Sequence, residues 1–309
     1  MAEAARVTAP APSRGGAWRT IKSEFADPER RTGYWMVLPV ALIILLIAIF
    51  PIVYAIWLSF FEVLPNQPRT FVGLENYTMM FGDESFREGL INTTLFTIVS
   101  VALEFVFGLV IALALNRAFI ARGPARAIAL VPWAFPTVIS AIMWRLMYQD
   151  QVGIMAYIAD AWLGYGGNIL SSDAALLFAA IVVDVWKTTP FMAILLLAGL
   201  QVIPYEVYEA SRVDGASPLQ QFWRITLPLL KPAILVALLF RTLDAWRIYD
   251  LFWGMAQRQL TSLSTYVFEG VKISQLQFSI GNAAAVFIFV SSLVIAFIYV
   301  KVLGTRTTE

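Results

Sequence analysis

Apolar positions in this chain of 309 residues come in blocks of about twenty, the helix length that crosses roughly 30 Å of hydrocarbon. Six blocks stand out: 35–61, 93–115, 128–148, 175–200, 228–253 and 283–300. Each is long enough for a helix that satisfies its own backbone groups in lipid. The pattern predicts an all-α integral membrane protein with six transmembrane helices. The fifth block is interrupted by Arg241, Asp244, Arg247 and Asp250. It is kept as a span because charged or irregular turns at membrane depth are tolerated where they line a cavity. The first block starts too late and runs too long for a cleavable signal peptide, and no small-x-small site follows it. The tail before it, 1–33, is rich in Ala, Pro and Arg and reads as disordered.

Composition agrees. The chain is 59% hydrophobic and 14% charged with a mean hydropathy of +0.72, whereas soluble domains carry about 25% charged residues. It has no cysteine and no histidine, so thiol nucleophiles, disulfides, the commonest general base and the commonest metal ligand are all excluded. A net charge of +1 points to no nucleic-acid partner. The distribution of charge says more. Lys and Arg number six in the tail, three in the second connection (Arg117, Arg122, Arg126), three in the fourth (Arg212, Arg224, Lys231) and two at the C-terminus (Lys301, Arg306), against four on the other side (Arg69, Arg87, Arg258, Lys272). The positive-inside rule then places both termini in the cytoplasm. Trp35, Trp57, Tyr148 and Tyr299, near block ends, read as interface anchors.

The fourth connection, 201–231, is more than a linker. Pro204 should open a short helix, Tyr205–Val213, that Asp214-Gly215 ends in a turn; a second piece runs from Ser217-Pro218 to Arg224 before Pro228 starts the next span. A surface helix that merely joins two spans would explain this much. The spacing goes further. Glu209-Ala210-Ser211, three residues, Gly215, nine residues, then Ile225-Thr226-Leu227-Pro228 resembles the E-A-A-x3-G-x9-I-x-L-P loop of ABC importer permeases, with Ser211 for the second Ala. Phe71-Val72-Gly73-Leu74-Glu75-Asn76-Tyr77, then Asn92-Thr93, and Pro132-Trp133-Ala134-Phe135-Pro136 with Trp144 and Gly153, resemble the carbohydrate-uptake, maltose-type branch. One departure is that a T-x-G-G-P turn common after the fifth span is replaced by Ala256-Gln257-Arg258-Gln259.

The resemblance implies a type I ABC importer fold: a first helix and external loop over 34–91, a core over 92–303 with a coupling loop at 201–228, and a cytoplasmic tail at 304–309. It implies a plasma-membrane subunit that pairs with a second homologous permease, an ATPase dimer binding ATP and Mg, and an extracytoplasmic sugar-binding lipoprotein. The imported sugar would be a disaccharide such as trehalose. Tyr205, Glu206, Tyr208, Glu209, Ala210, Ser211, Asp214 and Gly215 would dock on the ATPase. There, Ala210 and Ser211 would allow close approach, Glu209 would pair with a basic residue, and Gly215 would supply the turn. None of the five lysines sits in a G-x-x-x-x-G-K-[ST] context, so this chain carries no phosphate-binding loop and needs no cofactor of its own.

A charged side chain at mid-bilayer costs at least ~2.5–3.5 kcal/mol, so each needs a partner or a cavity. Arg241, Asp244, Arg247 and Asp250 recur every three residues with alternating sign and can neutralise one another as a ladder. Trp246, Tyr249 and Trp253 are interleaved with them, a mixture suited to sugars, and the resemblance places a sugar path there. Asp184 and Lys187 can likewise pair, or, as the resemblance implies for this segment, Lys187, Thr188 and Phe191 can face the sugar. Glu104 and Arg145 read as interhelical pairs or snorkelling groups. Two other classes are a stand-alone secondary transporter, against which no internal repeat relates 35–148 to 175–300, and a membrane enzyme, whose sole plausible carboxylate pair would be Asp184 with Asp244. A permease for glycerol-phosphate or an oligosaccharide is a further alternative.

Overall fold

A computed structural model describes residues 28–117, 120–150, 152–164, 169–274 and 277–303; most of the expected N-terminal tail and all of 304–309 lie outside them. The chain divides into two compact units, 1–57 and 58–309.

Among its described residues the first unit is one apolar helix. It comprises α1 (Pro28–Ile44), a wide turn with i→i+5 bonding (Leu45–Ile49) and α2 (Phe50–Leu58), whose last residue begins the second unit. The widened turn falls just before Pro51, which has no N–H to continue a regular ladder and whose ring crowds the preceding carbonyls. The 27 residues from Thr32 to Leu58 extend about 40 Å.

The second unit opens with a two-stranded antiparallel hairpin, β1 (Phe61–Glu62) and β2 (Thr70–Phe71), then α3 (Glu75–Gly82). The Phe71–Tyr77 motif closes this loop. Asn76, fully buried, donates its amide to the carbonyls of Ser59 (2.9 Å) and Phe61 (3.0 Å), and the Tyr77 hydroxyl lies 2.6 Å from Ser59 Oγ. Three long helices then form the frame: α4 (Glu84–Asn116), α9 (Asp173–Val202) and, after the connection, α12 (Leu227–Trp246). α15 (Phe278–Leu303) packs against α12 on another side. Asp83 starts α4 by accepting the Ser85 N–H at 2.9 Å, a side-chain cap.

Among the described residues five helices are long and apolar enough to cross a membrane. The third expected span, 128–148, is not one helix. It is broken into α5 (Arg122–Ala129), α6 (Val131–Ala134) and α7 (Thr137–Met147). Pro136 is the cause: it forces Phe135 into an extended conformation (φ −71°, ψ 139°). α7 alone, 11 residues, reaches only about 16 Å. α8 (Ile154–Leu163) follows.

The fifth span also differs from expectation at both ends. It begins before Pro228: Ser217 and Gln220 form a capping box at α11 (Pro218–Gln221), and a second wide turn (Phe222–Thr226) carries the helix unbroken into α12. This turn again sits just ahead of a proline, Pro228. At the other end α12 stops at Trp246, and a short α13 (Asp250–Ala256) starts after a break. α14 (Leu263–Phe268) follows, then a third wide turn (Glu269–Ile273).

Close packing comes from small residues. A Cβ on Gly199 of α9 would lie 2.3 Å from the Ala233 Cβ of α12, so only glycine permits this crossing. Around it Ala112, Met192, Leu196, Leu230 and Ala237 form one apolar cluster; Phe96, Trp144, Leu176, Phe252 and Met255 form a second toward the other end. Tyr148, expected at an interface, is 7% exposed in that second cluster, and Tyr299 reaches Thr242 of α12 at 2.8 Å. Trp35 and Trp57 are exposed.

Candidate functional site: a buried ionic hub

Arg241 is the hub of the frame. Near the end of α12 and 2% exposed, it meets carboxylates from three helices. Its Nε and Nη2 donate to both oxygens of Glu104 on α4 (2.5 and 2.8 Å), Nη2 also donates to Asp184 Oδ2 on α9 (2.5 Å), and Nη1 donates to Asp244 Oδ2 (2.7 Å). The planar fork suits this two-oxygen grip on Glu104. The Thr188 hydroxyl lies 2.6 Å from Glu104 Oε1 and 2.6 Å from the Asp184 carbonyl. Glu104 is fully buried and Asp184 is 3% exposed, but the Asp244 side chain is 70% exposed. A buried guanidinium thus ends in one carboxylate that faces outward.

The geometry corrects several expectations. The charge ladder stops after its first rung. Arg247 caps α12, its Nε donating to the Leu243 carbonyl (3.1 Å), and Asp250 opens α13; each charge sits at the helix end whose dipole it complements. Asp184 pairs with Arg241, not with Lys187. Lys187 is 7% exposed and makes no hydrogen bond or ion pair with any described residue. The Thr188 hydroxyl faces the hub. Trp246 donates its indole N–H to Ser291 on α15 (2.9 Å) and packs against the Met80–Phe86 cluster, so it is a packing residue. Arg145 donates to the Met255 carbonyl, an interhelical contact.

Other expected residues do gather. Phe191, one turn beyond Lys187 on α9, stacks on Trp133 with ring centroids 5.4 Å apart and planes 12° from parallel. Trp133 is 46% exposed. In the sequence Trp133 stands out only as part of a motif; its further signal is an aromatic between Pro132 and Pro136. Tyr249 stacks on Trp253, and both pack on Phe268. Trp253 also lines a cavity of about 530 Å³ with Val138, Ile142, Gly254, Gln257, Arg258 and Ile273.

The 201–231 connection folds as expected into α10 (Tyr205–Val213), with Pro204 before it and Gly215 after it at φ +79°. That φ is the left-handed region in which glycine carries no Cβ penalty. Tyr205, Glu206, Glu209, Ala210 and Asp214 are exposed, as is Gly215, whereas Ser211 is buried against the body. Tyr208 turns inward, its hydroxyl 3.1 Å from Thr226 Oγ1 in the wide turn. Arg212 donates to the Tyr205 hydroxyl at 2.9 Å, and that contact holds its guanidinium still more firmly protonated than usual.

Residues 104–309 match the family of binding-protein-dependent transport system inner membrane components. The chain belongs to that family. This inner-membrane component is 41% identical over 289 residues to the trehalose/maltose transport system permease protein MalF of Thermococcus litoralis, covering 91% of this chain and 97% of that one. It is 38% identical to the trehalose transport system permease protein SugA of Mycobacterium tuberculosis (89% and 90% covered) and 35% identical to the sulfoquinovosyl glycerol permease protein SmoG of Agrobacterium fabrum (90% and 92%). Its fold is shared with a bacterial ABC transporter that imports the acidic polysaccharide alginate, at a TM-score of 0.73 and 24% identity over 94% of this chain and 99% of that one. Family membership sets aside the secondary-carrier and membrane-enzyme alternatives.

Proposed function

We propose that this inner-membrane component forms half of the translocation path of an ATP-driven importer for a neutral disaccharide of the trehalose type. A second permease would supply the other half, a separate ATPase pair would bind ATP and Mg and dock on α10, and an extracytoplasmic binding protein would deliver the sugar. The observation that carries the reading is the exposed helix Tyr205–Val213 and its Gly215 turn, which lead through one unbroken helix, 218–246, to the Arg241 hub. Movement imposed on α10 reaches the membrane interior along that helix as a rigid-body displacement. The sugar side is served by the Lys187 ammonium, the stacked Phe191–Trp133 pair and the outward oxygen of Asp244, with Arg247, Tyr249 and Asp250 at the break in the helix. Two relatives named for trehalose transport, at 41% and 38% identity, favour that substrate over the sulfonated glycoside named for a third.

The test is uptake of radiolabelled trehalose into ATP-loaded proteoliposomes holding the complete complex, with sulfoquinovosyl glycerol as the rival substrate. Trehalose uptake that requires ATP and the ATPase is expected. Uptake that persists without the ATPase sinks the importer reading, and uptake of the sulfonated glycoside alone sinks the choice of sugar. Glu209→Ala, which removes the exposed carboxylate of α10, should lower ATP-driven uptake at least about tenfold while the protein still inserts.

A further inference from the structure

Arg241 takes its orientation from buried groups. Two of its N–H groups are fixed by the fully buried Glu104 and a third contact by Asp184 at 3% exposure. Glu104 is itself fixed by the Thr188 hydroxyl. What remains of the guanidinium, Nη1, points along α12 to Asp244, whose side chain is 70% exposed. A free aspartate on a helix samples several rotamers, and holding one side chain still costs rotamer entropy. Here that cost is met by a cation that cannot turn, because three helices hold it. One oxygen of Asp244 is thereby occupied and the other is left to accept from outside.

We propose that Glu104 is a positioning residue for substrate selection: through Arg241 it sets the rotamer of Asp244, and with it the direction in which the free carboxylate oxygen meets a sugar hydroxyl. The inference rests on the reading of Asp244 as part of the sugar path. A hydroxyl-accepting oxygen fixed in direction discriminates between disaccharides that present hydroxyls at different angles, whereas a freely rotating one does not. Glu104 itself touches no substrate.

The experiment uses the full complex in proteoliposomes with one saturating sugar-loaded binding protein throughout, and reads the ratio of trehalose to maltose transport rates per assembled complex. Asp244→Asn should change that ratio about tenfold or more, the order expected of one hydrogen bond to a charged group. Glu104→Gln should shift it in the same direction, and the double variant no further than Asp244→Asn alone, because both changes act through one oxygen. Thr188→Val, which takes only a hydroxyl from Glu104, should give a smaller shift of the same sign and serves if Glu104→Gln does not assemble. A ratio moved by Asp244→Asn but by neither of the other variants overturns the positioning role, as do additive effects in the double variant. A ratio unmoved by Asp244→Asn, or no uptake of either sugar by the unaltered complex, overturns the path reading itself.

Discussion

Single residues carry two kinds of information here, and only one was visible along the chain. Gln257 shows the visible kind. The turn after the fifth span departs from the pattern common in the family by lacking its glycines, and Gln257 is the residue forced to φ +52°, ψ −81°, a region that costs a side-chain-bearing residue about 1–3 kcal/mol. The turn is held nonetheless: Arg258 pairs with Glu269 at 3.2 Å, and the Gln259 N–H reaches the Ala256 carbonyl at 3.0 Å. Gln257→Gly should therefore stabilise the protein by about 1 kcal/mol after the extra unfolded-state freedom of glycine is subtracted. Thermal unfolding in detergent measures this; a lower midpoint would mean that the Gln257 side chain contributes more to the cavity wall than its backbone costs. Arg241 shows the other kind. Spacing placed Asp244 within its reach, and that contact exists. Its stronger partners lie 137 and 57 residues away, where no periodicity connects them. Glu104 and Asp184 could each be read as needing a partner, because a lone charge in lipid is costly, but which partner is decided by how α4, α9 and α12 cross.

At the scale of elements, the short connection was more legible than the spans. Pro204, Asp214-Gly215 and Ser217-Pro218 are local signals: α10 starts and stops and α11 starts where they indicate, but the piece expected to end at Arg224 runs on unbroken into α12. The spans went wrong where proline or a capping charge intervened. Pro136 cut the third, and Arg247, expected as a rung of a ladder, instead bonded a carbonyl at the end of α12. Hydropathy counts residues and is blind to such breaks. The wide turn at Phe222–Thr226 joins α11 to α12 without interruption while Tyr208 of α10 reaches its Thr226. If α10 drives α12, this hydrogen bond helps carry the motion. Tyr208→Phe removes it, weakening the link by about 0.5–1.5 kcal/mol. The expected outcome is a complex that hydrolyses ATP normally but imports about two- to tenfold less sugar per ATP, measured as the ratio of uptake to phosphate release. An unchanged ratio would show that α10 moves α12 by packing alone.

At the scale of the whole molecule, the remaining inference from charge is orientation. The structure sorts the charges along the second unit. Arg126 reaches the Leu115 carbonyl at the end of α4 from which the chain enters α5, whereas Asp83, at the other end of α4, accepts from Tyr266 at 2.8 Å on the side where Arg258 and Glu269 pair. The loops richest in Lys and Arg, 117–126 and 201–231, follow the C-terminal ends of α4 and α9, and the loops poor in them adjoin the N-terminal ends of α4 and α15. The positive-inside rule predicts that the first set is cytoplasmic. The chain tests this directly, because it has no cysteine and every introduced thiol reports alone. Gln67→Cys, exposed in the hairpin loop, and Ile120→Cys, 97% exposed between α4 and α5, occupy the two predicted sides. A membrane-impermeant maleimide applied to intact spheroplasts should label Gln67→Cys fully and leave Ile120→Cys unlabelled until the membrane is opened. The reverse pattern would invert the topology and place α10 on the side where no ATPase could reach it, so this one measurement bears on the mechanism as well as the fold.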